Sequence, residues 1–343
     1  MINFSRREFL FAGLGSLFLG AKARDAKIMT INGPIAAHQL GKTLIHEHFL
    51  VDFIGADTIR FDRWNRNEVV KIVSPYLLEA KQAGVKSIFD CTPDFLGRDV
   101  VLLQMLAAQS GIQMITNTGN YGARGNKYLP PWAFTETQEQ LAARWIQEYE
   151  NGIGNTGIKP GFIKIGVDDS EFSGQITGPL SEIHQKLVRA AAITHLKTGL
   201  TICSHTGHAS AAFEEIDILE KSGVHPSAFV WVHAQKETDK MNHTLAARRG
   251  VWVSLDGIGW GDFDNYADSI TRLKEAKLLH RVLISHDAGW YEPGKPDHIF
   301  QGYTNIFKEL LPRLRQRGYS ENDFDQLLVK NPAKAMSIQT RRR

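Results

Sequence analysis

The sequence predicts an α/β fold, a single (β/α)8 TIM barrel, on three observations. Eight short apolar, β-branched runs alternate with longer segments of helical period, the signature of repeated βα units. Six side chains able to bind a metal are scattered along the chain: His46, His48, Lys164, His205, His233 and Asp287. Each falls at or just past the C-terminal end of one of those runs. One pocket collects all six only if the strands are parallel and co-directed, and in a (β/α)8 barrel the active site lies at that C-terminal mouth.

The strands predicted in order are Thr43–His48, Lys86–Thr92, Gln113–Gly119, Phe162–Val167, Thr201–His205, Phe229–Ala234, Val251–Asp256 and Val282–Asp287. Between them the three-to-four spacing of apolar residues predicts helices over 68–83, 98–109, 137–150, 181–198, 209–221, 239–248 and 266–276, each with one face to cover the barrel. Gly84, Gly111, Gly199, Gly223 and Gly250 each stand just before a strand, where a helix end calls for a left-handed residue. Long Gly- and aromatic-rich segments follow strands three (120–134), seven (257–266) and eight (288–304), and these are the loops expected over the mouth. Helices over 305–317 and 320–329 close the barrel, and Asn331-Pro332-Ala333 opens one more. No interdomain linker interrupts 24–343, so one barrel domain is expected.

Of the 343 residues 40 are Lys or Arg and 37 Asp or Glu, a net charge of +3. No basic stripe interleaved with aromatics occurs, so a nucleic-acid partner is not expected. The terminal Arg341, Arg342 and Arg343 are expected to form a solvated, frayed end. At the other end Ser5, Arg6, Arg7, Glu8, Phe9 and Leu10 precede an apolar run to Leu19 and a small-x-small site at Ala21-Lys22-Ala23. This describes a twin-arginine signal peptide over residues 1–23, hence a mature periplasmic protein beginning near Arg24 and exported folded. The apolar run is shorter than the roughly 20 residues that span a bilayer, so no stable membrane insertion is expected. Cys91 and Cys203 fall on the second and fifth strands, which are not neighbours in a barrel. They are expected to be small buried hydrophobes rather than a disulfide.

His46 and His48 are two apart on a strand, so both imidazoles project to one side, expected to be inward, and both reach one ion. An HxH pair alone could equally be a polar strand end; the specificity comes from His205, His233 and Asp287 ending other strands at the same depth. Lys164 lies on an otherwise apolar strand and points into a pocket of cations. Desolvation and repulsion there favour the neutral amine, which carbon dioxide can convert to an anionic, bidentate carbamate. Such a carbamate bridges two metals about 3.5–4 Å apart, the spacing of binuclear hydrolytic sites. The alternative is a lysine that snorkels to the mouth. His286 should point away from its neighbour Asp287 and pack, and His208 reads as a helix-start histidine at the surface.

At this point the chain resembles the phosphotriesterase family of the amidohydrolase superfamily. The likeness covers essentially the whole mature chain through GKTLIHEH, FLGRDV, GFIKIG, ICSHT, VWVHAQ, SLDGI, ISHD and the closing KNPAKAMS. It implies that His46, His48 and Asp287 hold a buried metal, that His205 and His233 hold a more exposed one, and that carboxylated Lys164 and a hydroxide bridge the two. Relatives with this fold are commonly dimers, which leaves a homodimer open. Histidine, carbamate and carboxylate suit two divalent ions of zinc, manganese, cobalt or iron alike, with zinc the first expectation.

The resemblance also separates two substrate classes. Phosphotriesterases carry a tryptophan at the fourth position of a TGxW sequence after strand three, whereas lactonase-like members carry tyrosine, and this chain reads Thr118-Gly119-Asn120-Tyr121. The Tyr121 phenol could donate to the oxyanion formed from a lactone carbonyl, or merely shape the rim. The family's outward proton relay uses an acid and a histidine at positions that are Lys236 and Gly257 here. Lys236 could attract an anionic substituent or be a solvated loop lysine. Trp260, Trp290 and Tyr291 make the mouth aromatic, suited to a hydrophobic or sugar-like face. The expectation is a binuclear metal hydrolase cleaving a small-molecule lactone or carboxylic ester by attack of the bridging hydroxide, with Asp287 as catalytic proton acceptor and slow phosphotriester cleavage as a side activity. A true phosphotriesterase and a non-catalytic metal-containing binding barrel are the alternatives.

Overall fold

The computed structural model describes residues 26–167, 179–295 and 299–343. The expected leader lies outside the described residues, as does part of the segment expected over the mouth after the last strand. Among the described residues no helix is long and apolar enough to cross a membrane.

Eight parallel strands line the molecule: β1 (Thr43–Glu47), β2 (Ser87–Asp90), β3 (Gln113–Ile115, resumed as Asn117–Thr118), β4 (Phe162–Gly166), β5 (Ile202–His205), β6 (Phe229–Val232), β7 (Trp252–Leu255) and β8 (Val282–Ile284). Parallel ladders run from β1 through the first half of β3, and from its second half through β8. The third strand is therefore not the continuous run expected, since pairing lapses at Thr116. No ladder joins β8 to β1; single bonds do so instead, from His46 N to Ser285 Oγ (3.0 Å), Asp287 N to His46 O (3.1 Å) and His48 N to Ala288 O (2.9 Å).

Alternation along the strands separates two cores. Ile45, Phe89, Cys91, Ile115, Phe162, Cys203, Val230, Val232, Trp252 and Leu283 pack together as the buried interior of the barrel. The larger outer core lies between strands and helices, with Leu44, Ile88, Ile163, Ile165, Trp231, Val253 and Ile284 facing helical residues such as Leu77, Leu103, Leu187 and Ile270. The helices Arg66–Gln82, Val100–Ser110, Gln138–Asn151, Glu182–Thr198, Ala209–Lys221, Met241–Arg249 and Phe263–Glu275 match the expected ones to within a few residues. All five glycines expected at helix ends have positive φ, from 70° at Gly111 to 102° at Gly250.

Three further features depart from expectation. A hairpin, Lys27–Thr30 with Gly33–Ala36, precedes the barrel where no element is expected, and it contributes Ile28 to the interior core. A short helix, Pro131–Thr135, closes the predicted loop after β3, because Pro131 suits a first helical position. The basic C-terminus is not frayed. His225 N bonds to Arg341 O (3.0 Å), Arg343 N to Gly223 O (3.1 Å) and Arg341 N to His195 Nε2 (2.9 Å). The Arg341 guanidinium caps the carbonyls of Lys334, Ala335 and Ser337 at the end of the last helix, Asn331–Met336, which explains why a cation is held there.

Candidate metal centre

All six candidate ligands line one cavity at the C-terminal ends of the strands, and Tyr121, Lys236, Trp260 and Trp290 line it with them. The four imidazoles converge as a chain of rings: His48 to His46 5.4 Å, His46 to His233 5.0 Å and His233 to His205 4.5 Å between centroids.

The pair His46 and His48, the second one residue past the end of β1, depends on a bulge. Leu44 aligns with Ile88 but Glu47 with Asp90, so β1 carries one residue more than β2 over that stretch. The extra residue lets Ile45 pack in the interior while His46 and His48 both line the cavity and Glu47 turns outward.

Proton accounting fixes the tautomer of His48. Thr92 Oγ1 lies 3.1 Å from Leu50 O, where it donates its single hydrogen, so at 2.8 Å it accepts from His48 Nδ1. In the neutral ring, the form that binds a metal, the lone pair is then on His48 Nε2, which lies 3.1 Å from Asp287 Oδ1. His46 Nε2 stands 3.4 Å from the same oxygen. Two acceptors face to face are stable only with a cation or proton between them. Ligand atoms of His46, His48 and Asp287 all lie within 4.8 Å of one another, as do those of His46, His233 and Asp256.

Asp256, on the turn after β7 and wholly buried, orders the second group. Its Oδ1 accepts from His233 Nδ1 at 2.7 Å, and both oxygens accept from the His233 backbone N–H at 3.2 Å. This leaves His233 Nε2 as the lone-pair nitrogen, the arrangement by which a carboxylate orients a metal-binding imidazole. Ser254 Oγ and Gln235 Nε2 complete the carboxylate's partners. Burial pushes Asp256 up, but the imidazoles of His233 and His46 outweigh it and hold the carboxyl well below its ordinary range.

Burial drives His46 and His205 below the ordinary imidazole range, His205 with the added repulsion of His233, Lys164 and Lys236, so both are neutral near pH 7. Neutral imidazole is the form that binds a metal. Burial pushes Asp287 up, but His233, His48 and His46 hold it below the carboxylate range whenever these facing rings carry a proton, so the carboxylate is ionised. His205 Nε2 is buried without a hydrogen-bond partner, and its Nδ1 lies 3.0 Å from the Tyr121 hydroxyl. Lys164 is only 2% exposed, its amine 5.5 Å from the centre of the Tyr121 ring, and among the described residues no carboxylate pairs with it. Neutral imidazoles, an ionised carboxylate, an orphaned ring nitrogen and an opposed pair of acceptors together fit a divalent cation.

His233 and Asp287 are not on strands as expected. β6 and β8 stop at Val232 and Ile284, and the two residues sit on turns with φ of 61° and 51°. The reason is competition for backbone donors: Asp256 takes the His233 N–H, and Glu47 takes those of His286 and Ala288. Glu47 is wholly buried and also accepts from Ser285 Oγ and His286 Nδ1, both at 2.7 Å. Sequence reasoning missed Glu47 and Thr92. The available signal for Glu47 was a charge on the outward side of an otherwise apolar strand, which must find donors when buried. His286 packs outward as expected, its Nε2 accepting from Ile306 N at 3.0 Å. His208 begins the helix Ala209–Lys221. Both cysteines are buried and unpaired, and burial raises the Cys203 thiol to about 12.

Behind β5, Ser204 and Thr206 flank His205 on the outer side and meet Glu215, at 2.5 and 2.6 Å. Burial lifts the Glu215 carboxyl to about 8, so it keeps its proton at neutral pH. That proton goes to Thr206 Oγ1, which passes its own to Ser204 O at 3.0 Å.

The sequence model of the Phosphotriesterase family matches residues 26–336. The chain belongs to the phosphotriesterase family. A phosphotriesterase homology protein of Escherichia coli (strain K12) is 26% identical over 302 residues, covering 85% of this chain and 97% of its own. An aryldialkylphosphatase of Saccharolobus solfataricus is 28% identical, covering 88% of this chain and 97% of its own. N-acetyltaurine hydrolase of Homo sapiens is 25% identical, covering 90% and 97%.

Proposed function

We propose that this phosphotriesterase-family hydrolase cleaves a compact lactone or carboxylic ester at a pair of divalent cations. His46, His48 and Asp287 would hold the inner ion, His205 and His233 the outer one, and Lys164, as its carbamate, would join them. One observation carries the reading: His48 Nε2, with its lone pair fixed by Thr92, opposes Asp287 Oδ1 at 3.1 Å, with three more imidazoles converging on the same cavity. When bound, the cations supply a water acidic enough to act as nucleophile near neutral pH and polarise the substrate's oxygen.

The chain's own groups do the rest. Asp287, ionised and at the junction of the rings, accepts the nucleophile's proton and passes it to the leaving oxygen. Asp256 keeps His233 in one tautomer. Tyr121, beside His205, stands at the wall where a carbonyl oxygen gains charge. Trp260 and Trp290, with ring centres 5.2 Å apart, form an apolar face. The cavity is about 240 Å³, just under the ~300–1,000 Å³ of drug-sized ligand sites, which suits a compact substrate.

A second reading is amide hydrolysis of a small N-acyl anion, as the name of the human relative suggests for that protein. Arg124 and Lys236, which both line the cavity, favour it. Enzyme reconstituted with zinc, manganese or cobalt should be assayed on lactones, aryl esters, an aryl dialkyl phosphate and N-acetyltaurine. Turnover of lactones or esters at least 100-fold above the others supports the first reading. Preference for N-acetyltaurine or for the phosphotriester replaces it, and turnover of none with retained metal removes it.

A further inference from the structure

Asp287 is a non-glycine residue in the left-handed region, with φ of 51°. Such a conformation is strained for a residue with a Cβ and persists only where the surroundings over-determine it. Here every backbone group around it is taken. Its N–H donates to His46 O at 3.1 Å, and the next N–H, of Ala288, donates to Glu47 Oε2 at 3.1 Å. Its own carbonyl accepts from Trp260 Nε1 at 3.0 Å. Glu47 Oε1 gathers three more donors from the two preceding residues: Ser285 Oγ, His286 N and His286 Nδ1. All four donors to this buried carboxylate come from residues 285–288, where no β-ladder to β1 holds the segment.

We propose that Glu47 and Trp260 are positioning residues that hold Asp287 from opposite sides in its left-handed conformation. Without the Ala288 bond the turn relaxes toward an ordinary extended strand, which swings the carboxylate away from His46 and His48. Glu47 thus acts through backbone from the outer face of β1, between two residues that face the cavity. Trp260 is 52% exposed at the mouth, and its indole N–H reaches in to the Asp287 carbonyl. The same side chain thus offers its ring face to the cavity and its N–H to the backbone that carries the carboxylate.

This inference rests on the proposed role of Asp287 at the cation pair, so its test needs a readout independent of turnover. Glu47→Gln keeps the shape but sets an amide NH2 against either the Ala288 N–H or the three donors at Oε1. Trp260→Phe keeps an aromatic ring at the mouth while deleting the donor together with the five-membered ring that carries it. Outer partners of metal ligands typically matter 10–100-fold in affinity or rate. Both variants are loaded with zinc, checked for folding by melting temperature, and chased with a chelator. The expected result is metal release 10–100-fold faster than wild type. On whichever substrate wild type turns over, kcat should fall by a similar factor with KM within about threefold.

Wild-type release rates in both folded variants overturn the clamp, whether or not a substrate has been found. A raised KM with unchanged kcat and release in Trp260→Phe makes that residue a substrate wall and overturns its half. Should Glu47→Gln fail to fold, Trp260→Phe, altered only at a half-exposed ring, decides the matter. A wild type that hydrolyses nothing while both variants lose metal fast removes the reaction and keeps the clamp.

Discussion

Glu215 offers a quantitative test of how the wall behind His205 is built. It is wholly buried, and its carboxyl is raised from 4.5 to about 8 by desolvation, in spite of hydrogen bonds with Ser204 and Thr206. The folded protein therefore keeps a proton that the unfolded chain releases above pH 4.5. With the unfolded state binding fewer protons, stability falls as pH rises from 4.5 to about 8 and is level on either side. At ~1.4 kcal/mol per pH unit the full span is worth about 5 kcal/mol. Glu215→Gln removes the ionisation yet reproduces the neutral acid, its Oε1 accepting from Ser204 and its Nε2 donating to Thr206. Urea unfolding of wild type and variant, at pH 5 and pH 8 with metal loading held constant, should show the variant's relative stability growing by roughly 3–4 kcal/mol. Parallel pH profiles for the two proteins would refute the neutral-acid assignment, and a variant less stable at both values would refute the hydrogen-bond match.

Asp287→Asn retains one metal-facing oxygen but cannot take up a proton, so kcat should fall 10²–10⁴-fold while metal content, read by atomic absorption, drops far less. Full turnover with metals bound would remove the proton role. Asp256→Asn loses the charge that orients His233, and metal affinity in a competition titration should weaken 10–100-fold. Thr92→Val deletes the acceptor that fixes the His48 tautomer, and a loss of the same order is expected, read as metal release from a folded protein.

Much of this was legible in the sequence because barrel and site write the same pattern. A polar residue at the end of an apolar run is conspicuous, and His46, His48, Lys164, His205, His233 and Asp287 all announce themselves that way. The helix-end glycines announced the repeat. What the sequence hid depends on pairs distant along the chain. Nothing local to Glu47 says that its four donors come from 285–288, and nothing local to Thr92 says that it receives the proton of His48. The bulge in β1 was equally silent, since a one-residue excess is visible only once β2 is laid beside it. The tail Arg341–Arg343 misled for the opposite reason: its composition is that of a solvated end, but its backbone finds partners in His195, His225 and Gly223.

Those last contacts carry a practical consequence. Ile338 N bonds to Lys27 O at 2.9 Å, and Thr201 Oγ1 bonds to Ala335 O at 2.6 Å, so the first and last described stretches are stitched together beneath the strand starts, at the far pole from the histidine cluster. The described chain begins at that pole, away from the entrance. An affinity handle fused downstream must leave from a seam whose guanidinium and amides are already engaged, so a carboxyl-terminal tag is expected to disturb these contacts.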